Sequence, residues 1–254
     1  GKFTFTSMDE NVVTVNEKTG EITAVGLGTT YVKIYNERND LSAAVKVNVN
    51  GEGNITQAKI VSGKLHFIAL KGNGEVWGWG YNGNGQLGNG NTVNQTEPVQ
   101  ALAAVLDENG NVKKDESGKV VTEEITDAID VAAGYYNTLV LRKDGTVWAS
   151  GYNNYGQLGN GNTASSNIFY KVKLNASGEY LQDIVQISAY SYESYALTKN
   201  GEVYAWGYGN NGNLGIGVSG NSYNVVSYPV KMQKVSNITQ ISAGHAFVIM
   251  LDAN

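Results

Sequence analysis

The sequence predicts an all-β protein built from repeated units, and three observations support this. First, the 254 residues include 32 glycines and 16 tyrosines but only 2 prolines. Second, one glycine- and tryptophan-containing phrase recurs along the chain. Third, Asn-Gly and Asp-Gly pairs separate short apolar runs, which is the strongest local signal for a β-hairpin. Together they indicate many short strands joined by tight turns rather than helices.

The charge of the chain argues against a nucleic-acid partner. The formal net charge is -5 and the isoelectric point is about 5.1. Binding to phosphates requires a concentrated basic surface, whereas the 18 lysines and arginines are scattered. We therefore expect no nucleic acid among the partners.

Other classes of site are excluded by composition. The chain has no cysteine, which removes disulfides, zinc-thiolate centres and cysteine nucleophiles. No run of 18 apolar residues is present, so we expect no membrane span in this segment. Gly1 leads directly into strand-like sequence without an initiator methionine, which predicts that the chain is an internal part of a longer polypeptide.

The main signal is the repeat. Equivalent leucines stand at positions 70, 141, 197 and 251, so the copies are spaced by 71, 56 and 54 residues. A period of roughly fifty residues with several short strands per copy is typical of a β-propeller. We therefore predict a partial propeller over residues 57–254, with about three complete blades and the beginning of another.

Each copy has the same expected local structure. An apolar run such as Phe67–Leu70 predicts a strand buried on both faces. An Asn-Gly or Asp-Gly turn follows and leads into the returning strand. A glycine then marks a bend or a close backbone approach, and a leucine in a glycine-rich loop fills the core between blades. The recurring residues to which we assign these structural roles are Trp77, Trp79, Gly80, Gln86, Leu87, Gly88, Trp148, Gly151, Gln157, Leu158, Gly159, Trp206, Gly207, Leu214 and Gly215.

The phrase Val-Trp-x-Trp-Gly-x-Asn-x-x-Gly-Gln-Leu-Gly-x-Gly, which begins at Val76, closely resembles the regulator-of-chromosome-condensation (RCC1) repeat. The resemblance implies a propeller of about seven blades, so the remaining blades would come from the same parent chain or from other chains. Ser150 replaces the second tryptophan in copy two. The family histidine survives only as His66, and the aligned residues are Asn137, Glu193 and Phe247. We interpret these departures as drift in a degenerate repeat.

Residues 106–124 lie between the first two copies. They contain two turn signals, Asn109-Gly110 and Ser117-Gly118. We predict an inserted β-hairpin that projects from one face of the blades.

Residues 1–50 do not carry the repeat. Five short alternating segments at this spacing predict part of a β-sandwich. The elements Val12-x-Thr14-Val15, Gly20-x-Ile-Thr-Ala-Val-Gly26 and Gly28-Thr29 resemble the bacterial Ig-like group 2 (BIG2) domain of surface adhesins. We expect a truncated Ig-like domain over residues 1–50 and a linker over 51–56.

Candidate functional residues are few. Tyr135, Tyr136, Tyr190 and Tyr192 begin equivalent strands, and they would form either a partner-binding surface or half-buried packing between blades. For His66 and His245, packing or hydrogen bonding is favoured over a metal or catalytic role, because they lie in different phrases. The Asp107 stretch lacks the final bidentate glutamate of a calcium loop, and the Asn-Gly loops are interpreted as turns rather than ion sites. We assign no catalytic residue, metal or cofactor.

The leading hypothesis is a non-enzymatic scaffold or adhesion protein at the surface of a bacterium or secreted by it. The propeller face would bind a protein or a glycan, and the Ig-like segment would act as a spacer. An alternative is a regulatory interaction protein that resembles guanine-nucleotide exchange factors of the RCC1 family. A glycan-processing enzyme is a third possibility, but no clustered carboxylates recur at matching positions.

Overall fold

Short strands account for all the regular structure in the part of the chain that the structure describes. The computed structural model describes residues 3–26, 28–37, 41–49, 57–210, 212–217 and 225–253. No helix occurs within these ranges. The chain divides into two compact units, residues 1–57 and 58–254. The predicted linker at 51–56 lies outside the described residues.

The first unit contains two small antiparallel sheets. Strands β1, β4 and β5 form one in the order β1-β4-β5, and β2 pairs with β3 in the other. Valines at positions 12, 13, 32, 47 and 49 are buried between them, with Phe5 packed alongside. The resemblance to an Ig-like domain stays a prediction. The strands are β1 (Phe3–Ser7), β2 (Val13–Val15), β3 (Ile22–Ala24), β4 (Gly28–Asn36) and β5 (Leu41–Val49).

The second unit contains three four-stranded antiparallel blades and a further strand pair. Blade one is β6–β9, blade two is β12–β15 and blade three is β16–β19, while β20 and β21 pair with each other. The strands are β6 (Lys59–Ser62), β7 (His66–Leu70), β8 (Val76–Gly80), β9 (Gln95–Gln100), β10 (Leu102–Ala104), β11 (Thr122–Glu124), β12 (Ala128–Ala133), β13 (Asn137–Arg142), β14 (Val147–Gly151), β15 (Ser166–Lys171), β16 (Ile184–Tyr190), β17 (Glu193–Thr198), β18 (Val203–Gly207), β19 (Val226–Lys231), β20 (Ile238–Gly244) and β21 (Phe247–Asp252).

The first strands of successive blades lie beside one another. Strand β12 contacts β6 on one side and β16 on the other, and β16 contacts β20. This stacking of equivalent strands is the arrangement of propeller blades. The prediction of an all-β protein with propeller-like blades is therefore confirmed.

Burial of the second strand depends on its position in the series. Every residue of β17 is buried, and all but the last residue of β13, as predicted for a strand covered on both faces. In contrast, β7 alternates between buried and exposed residues, and β21 has no buried residue. The exposed side chains include Phe67 at 44% and Ile249 at 65%. The first and last sheets thus expose apolar side chains at strand positions that are buried in the middle blades.

The loop after the third strand joins each blade to the next. The backbone oxygen of Gln86 accepts a hydrogen bond from Thr138 Oγ1 at 2.8 Å, and that of Gln157 accepts one from Ser194 Oγ at 2.9 Å. The neighbouring Leu87 and Leu158 are at most 1% exposed. Leu87 packs in one cluster with residues of blades one and two. Burying such a leucine contributes about 1.5–3 kcal/mol, so each loop is a substantial part of the seam between blades.

Glycines 80, 151 and 207 occupy the predicted bend. Their φ angles are +99°, +107° and +102°, and the pairing register shifts at each one. A Cβ atom at Gly80 would lie 2.6 Å from the carbonyl oxygen of Leu65. A side chain is therefore excluded both by backbone conformation and by space.

A buried asparagine holds the glycine-rich loop in shape in blades one and two, whereas copy three has Gly209 at this position. Asn82 Nδ2 donates to the backbone oxygens of Asn91 at 3.0 Å and Val93 at 3.2 Å, and Asn82 Oδ1 accepts from the Leu87 amide at 3.0 Å. Asn153 makes the matching bonds in blade two. The carbonyl oxygens of Asn91 and Val93, and those of Asn162 and Ala164 in blade two, are therefore already paired with a side-chain amide.

The insertion differs from the single hairpin that was predicted. It forms two successive short turns, closed by bridges from Leu106 to Val112 and from Lys114 to Val120. Asp107 and Asp115 each accept backbone amide bonds inside their own turn, which makes each turn self-contained. The flanking strands β10 and β11 pair and extend the sheet of blade two.

The serine in copy two is compensated by a phenylalanine. Ser150 Oγ still donates to Gln86 O, at 3.4 Å, as Trp206 Nε1 donates to Gln157 O at 2.9 Å. Gly88 packs directly against the Phe169 ring, whereas Gly159 packs against Trp206. The strand registers place Pro98 and Pro229 at the position of Phe169 in the other copies. A Ser–Phe pair thus replaces a Trp–Pro pair, so this departure is compensated within the seam.

This compensation predicts coupled effects on stability. Ser150→Trp should destabilise by about 1–3 kcal/mol through overpacking against Phe169, and Phe169→Ala by about 3–5 kcal/mol through a cavity. The loss of unfolding free energy in the double variant should be smaller than the sum of the two single losses. We expect a coupling energy of about 0.5–3 kcal/mol, measured by urea unfolding. Ser62→Trp, on an exposed strand position, is the matched control. Strict additivity of the two changes would contradict the account.

Candidate functional site

Eight tyrosines gather at one end of the blades. They come from the last residue of β16, from the turns that precede β13 and β17, and from the segments that follow β8, β14 and β18. Backbone bonds hold these segments together: Tyr81 N donates to Leu65 O at 2.8 Å, and Tyr152 N donates to Tyr136 O at 2.8 Å. We call this surface the tyrosine face. It consists of Tyr81, Tyr135, Tyr136, Tyr152, Tyr155, Tyr190, Tyr192 and Tyr208.

Tyr192 lies at the centre of the tyrosine face. Its ring centroid is 5.6 Å from that of Tyr135, 5.7 Å from that of Tyr152 and 5.0 Å from that of Tyr155. Tyr135 in turn lies 5.5 Å from Tyr190 and 6.5 Å from Tyr136. Tilted and edge-to-face arrangements at these distances are favourable for aromatic pairs. The structure therefore brings together all four tyrosines that the sequence singled out.

The rings both pack and remain accessible. Tyr190 is 39% exposed, and the other seven are half-buried. The two alternatives for these residues are thus not exclusive, because each ring packs against neighbours while part of each residue stays accessible to solvent. Burial raises the pKa of Tyr135 and of Tyr192 above its ordinary value. The phenols consequently stay protonated near neutral pH and act as neutral hydrogen-bonding groups.

Two basic side chains border the tyrosine face. The ammonium of Lys64 lies 5.6 Å from the ring centroids of both Tyr135 and Tyr136, within the range of cation–π contacts. The interaction with Tyr136 raises the pKa of Lys64. On the other side, His245 Nδ1 lies 3.3 Å from the Tyr135 hydroxyl.

Two repeat positions place polar side chains in the interior. One holds His66, Asn137 and Glu193, each directly after the turn before the second strand, and the other holds Gln86, Gln157 and Asn213 in the following loop. Within the described ranges, every buried side-chain nitrogen or oxygen without a hydrogen-bond partner belongs to these six residues. Such an atom costs about 1–3 kcal/mol. Folding gains nothing from buried polar atoms that lack hydrogen-bond partners. Their recurrence at two repeat positions therefore makes these six residues candidates for a functional role.

Glu193 is the charged member of this set. It is 2% exposed, and its Oε1 accepts a hydrogen bond from Asn213 Nδ2 at 2.8 Å, while Oε2 has no partner. Burial raises the pKa of Glu193 to about 7, outweighing the hydrogen bonds that lower it. The carboxyl group therefore changes its charge near neutral pH, directly beside Tyr192 in sequence.

His66 is a buried neutral imidazole. Thr138 Oγ1 donates its proton to Gln86 O, so it accepts from His66 Nε2 at 3.1 Å. Burial lowers the pKa of His66 to about 4. The side chain thus serves as a hydrogen-bond donor across the seam between blades one and two.

The repeat tryptophans stabilise individual blades. Trp77 and Trp148 each lie beneath a cation, with Lys71 Nζ at 4.3 Å and the Arg142 guanidinium carbon at 5.1 Å from the ring centroid. Trp79 stacks on Phe67 at 5.5 Å. The leucines at 87, 158 and 214 are buried, and the glycines at 88, 159 and 215 lie against side chains of Phe169, Trp206 and Met232.

Part of the site was not predicted from the sequence. Tyr81, Tyr152 and Tyr208 directly follow the bend glycine in all three copies, which was a usable signal. Tyr155 has no such signal, since the equivalent residue in copy one is Asn84. Glu193 was classified as drift, because its burial depends on the neighbouring blade.

The described residues offer neither a metal site nor a membrane-spanning helix. Over the described ranges, no group of three or more His, Asp or Glu side chains is placed to hold a metal ion. Asp107 Oδ1 accepts amide bonds from Asn109 and Asn111, so it closes a turn. Among the same residues, no helix has the length and apolar character needed to cross a membrane.

The raised pKa of Glu193 predicts a pH-dependent effect on stability. The folded state favours the protonated carboxyl, so its contribution is complete below pH 4.5 and is lost as pH rises through 7. Burial lowers the pKa of His66 to about 4, so its contribution to stability is lost as pH falls through that value. The stability of wild type against pH therefore combines two opposite effects, and a variant is needed to separate them. We expect Glu193→Gln to gain stability over wild type by on the order of 2–3 kcal/mol between pH 5 and 8. Urea unfolding measures this difference. The exposed Glu97→Gln is the control, and a pH-independent difference for Glu193→Gln would contradict the account.

Comparisons with known proteins agree with the fold. The family described as "Regulator of chromosome condensation (RCC1) repeat" matches residues 73–141, 144–196 and 200–251. The structure is similar to that of Prp20p from Saccharomyces cerevisiae, with a TM-score of 0.56 and 18% identity over 94% of this chain and 52% of that one. It is also similar to human WBSCR16, with a TM-score of 0.53 and 14% identity over 99% of this chain and 71% of that one.

Sequence relatives are longer proteins. Mouse E3 ubiquitin-protein ligase HERC2 is 29% identical over 88% of this chain but only 5% of its own length. The Arabidopsis thaliana ultraviolet-B receptor UVR8 is 27% identical over 73% of this chain and 48% of its length. The dog X-linked retinitis pigmentosa GTPase regulator is 34% identical over 61% of this chain and 13% of its length. The chain thus spans less than half of each of these relatives. Because the repeat profile matches most of the sequence, the chain belongs to the RCC1 repeat family.

Proposed function

We propose that this chain is a non-enzymatic protein-interaction module and that the tyrosine face is its contact surface. The observation that carries the proposal is the convergence of eight tyrosines from three blades at one end of the sheets, with Tyr190 39% exposed. Tyrosine supplies large amphipathic contact area at low entropic cost, and it is enriched among residues that dominate binding energy.

The chemistry of the face favours binding over catalysis. Its phenols have raised pKa values at Tyr135 and Tyr192, so they are poor bases. A nucleophile would also need a neighbouring base to activate it. Rings fixed by mutual contacts present a preorganised surface, which lowers the entropic cost of association.

The relatives support a protein as the ligand. Prp20p, whose structure is similar to this one, is a protein with binding properties towards Gsp1p and histones. One relative carries the name GTPase regulator, which supports regulation of a GTPase as a second candidate. A nucleotide-exchange assay with a small GTPase distinguishes the two, because an interaction module without exchange activity leaves the release rate unchanged. The ligase activity named for HERC2 is not proposed, since this chain matches 5% of that protein.

A location at the surface of a bacterium remains part of the proposal. Its support is the resemblance of residues 1–50 to an adhesin-type Ig-like domain, which would place the blades away from the cell. Protease treatment of intact source cells tests this location. Digestion of the chain together with known surface proteins is expected, and protection until the cells are lysed would contradict it.

We also propose that further repeats cover the outer sheets. The support is the exposure of Phe67 in β7 and of Phe247, Ile249 and Leu251 in β21, at positions that are buried in the middle blades. Addition of the following repeats should slow hydrogen exchange of the β21 amides. Unchanged exchange would contradict this extension.

Partner binding should depend on the exposed Tyr190 and on the central, half-buried Tyr192. Tyr190→Ala and Tyr192→Ala should each weaken binding of the natural partner by about 2 kcal/mol or more, as expected at the centre of an interface. The full chain is used as bait on an extract of the source organism, and a retained protein is then purified and measured by calorimetry. Tyr31→Ala, exposed at 44% in β4, is the matched control. Equal binding by all variants would overturn the assignment of the face, and retention of glycans alone would overturn the protein class.

A further inference from the structure

We propose that the tyrosine face recognises a positively charged side chain of its partner, an arginine or a lysine, over the rings around Tyr192 and beside Glu193. This inference rests on the proposed function, because it names the chemistry of the partner at the same face. Three observations carry it: the ring cluster, a cation of this chain already placed over two of the rings, and a buried carboxyl group with an unpaired oxygen.

The ring cluster offers the right surface. Aromatic rings attract cations through the negative potential of their faces, and an arginine also stacks on them. Tyr135, Tyr152 and Tyr155 surround Tyr192 at centroid distances of 5.0–5.7 Å. A guanidinium placed there would contact more than one ring, which a lone surface tyrosine does not allow.

Lys64 shows that the face accommodates a cation. Its ammonium lies 5.6 Å from the centroids of Tyr135 and Tyr136. Among the residues that the structure describes, no carboxylate forms a salt bridge with it, so the rings are its neighbours. Lys64 begins the turn before β7, the same repeat position that Tyr135 occupies before β13. It therefore acts as an internal occupant at one side of the face and would compete with an external cation.

Glu193 supplies the complementary charge. Its Oε1 is fixed by Asn213 at 2.8 Å, and its Oε2 is buried without a partner in good hydrogen-bond geometry. The backbone amides of Tyr192 and Glu193 lie near the carboxyl and lower its pKa less than burial raises it. Asn213 Nδ2 also donates to the backbone oxygen of Tyr208 at 3.0 Å, which holds the Glu193 carboxyl beside a segment of the tyrosine face. A carboxylate in such a poorly solvated position is stabilised by a nearby cation, and the same interaction strengthens cation binding.

Five strands or turns contribute charged or titratable groups near Glu193 or to the adjoining tyrosine face. Strand β17 provides Tyr195, the turn before β17 provides Tyr192, and the turn before β13 provides Tyr135. The turn before β7 provides Lys64, and the turn between β20 and β21 provides His245, which contacts Tyr135. Among these groups, Glu193 is the one whose pKa burial raises to about 7.

An acidic partner would have the opposite requirements. A carboxylate would pair with Lys64 and be repelled by Glu193, so removal of Lys64 would weaken its binding. A cationic partner competes with Lys64, so removal of Lys64 would strengthen its binding. The sign of the Lys64 effect therefore separates the two classes.

The experiment uses the full chain and four blocked ten-residue peptides of alternating glycine with arginine, lysine, glutamine or glutamate, titrated by calorimetry at pH 7.5. The arginine peptide should bind most tightly, the lysine peptide more weakly, and the glutamine and glutamate peptides not measurably. Lys64→Met should raise the affinity for the arginine peptide about three- to fivefold. Tyr192→Ala should lower that affinity at least fivefold, while Tyr31→Ala should leave it unchanged.

The dependence on pH identifies the carboxyl group. Binding of the arginine peptide should strengthen about three- to tenfold from pH 6 to pH 8, because Glu193 becomes charged over this range. Glu193→Gln should weaken binding at pH 8 and remove this dependence. His245→Gln should retain it, which excludes the histidine as its source. Loss of the pH dependence in His245→Gln rather than in Glu193→Gln would contradict the role of Glu193.

Failure of this inference is distinguishable from failure of the proposed function. Preferential binding of the glutamate or glutamine peptide, or weaker arginine binding in Lys64→Met, would overturn the cation specificity. If the natural partner is still lost in Tyr190→Ala and Tyr192→Ala, the tyrosine face remains the contact surface and only its specificity is revised. If Tyr190→Ala and Tyr192→Ala still bind both the natural partner and the arginine peptide, both proposals are overturned.

Discussion

Packing of each glycine-rich loop against the next blade is the constraint on which the structure depends. Gln157 O, for example, accepts hydrogen bonds from both Ser194 and Trp206 in the following blade, while Leu158 fills the core between the two sheets. A single blade has no neighbour against which to bury this face. Stacked repeats are therefore required for stability, in line with other repeat architectures.

The same stacking creates the tyrosine face. Residues that are more than fifty positions apart in sequence, such as Tyr81 and Tyr136, meet because equivalent turns lie at the same end of neighbouring blades. The surface is built on hairpin ends fixed by backbone bonds, so its geometry is inherited from the seams. The unpaired polar atoms of the two inner repeat positions lower stability at this end. Such a cost is common where a structure serves recognition rather than folding alone.

Local features of the fold were predictable from sequence. The strand positions, the Asn-Gly turns and the glycines at 80, 151 and 207 each depend on a few neighbouring residues, and the structure confirms them. Burial on both faces was wrong for the run Phe67–Leu70, because Phe67 is 44% exposed in the first blade. The pairing of Ser150 with Phe169 was not predictable, because it depends on the register between β14 and β15 and on the loop of another blade. The insertion was expected as one hairpin, but each aspartate closes its own turn, which favours two.

The candidate site was only partly visible in the sequence. Four of its eight tyrosines were identified from their repeat position, whereas the central role of Tyr192 follows from contacts with three other segments. Glu193 illustrates the limit of reading repeats by alignment. Glu193 stands where the repeat family has a histidine, so the sequence alone suggested a chance departure from the repeat. Burial by the surrounding blades raises the pKa of Glu193 to about 7, which gives this position a chemistry of its own. The chemistry of a repeat position is set by its neighbours as well as by its type.

The most direct test of the central claim is a hydrogen-exchange footprint of the natural partner bound to the full chain. If the tyrosine face is the contact surface, amides of residues 134–136 and 190–192 should be protected in the complex. Turns 71–74, 142–145 and 198–201, at the opposite ends of the same strands, should exchange as in the free chain. Protection of those opposite turns with an unprotected tyrosine face would contradict the account.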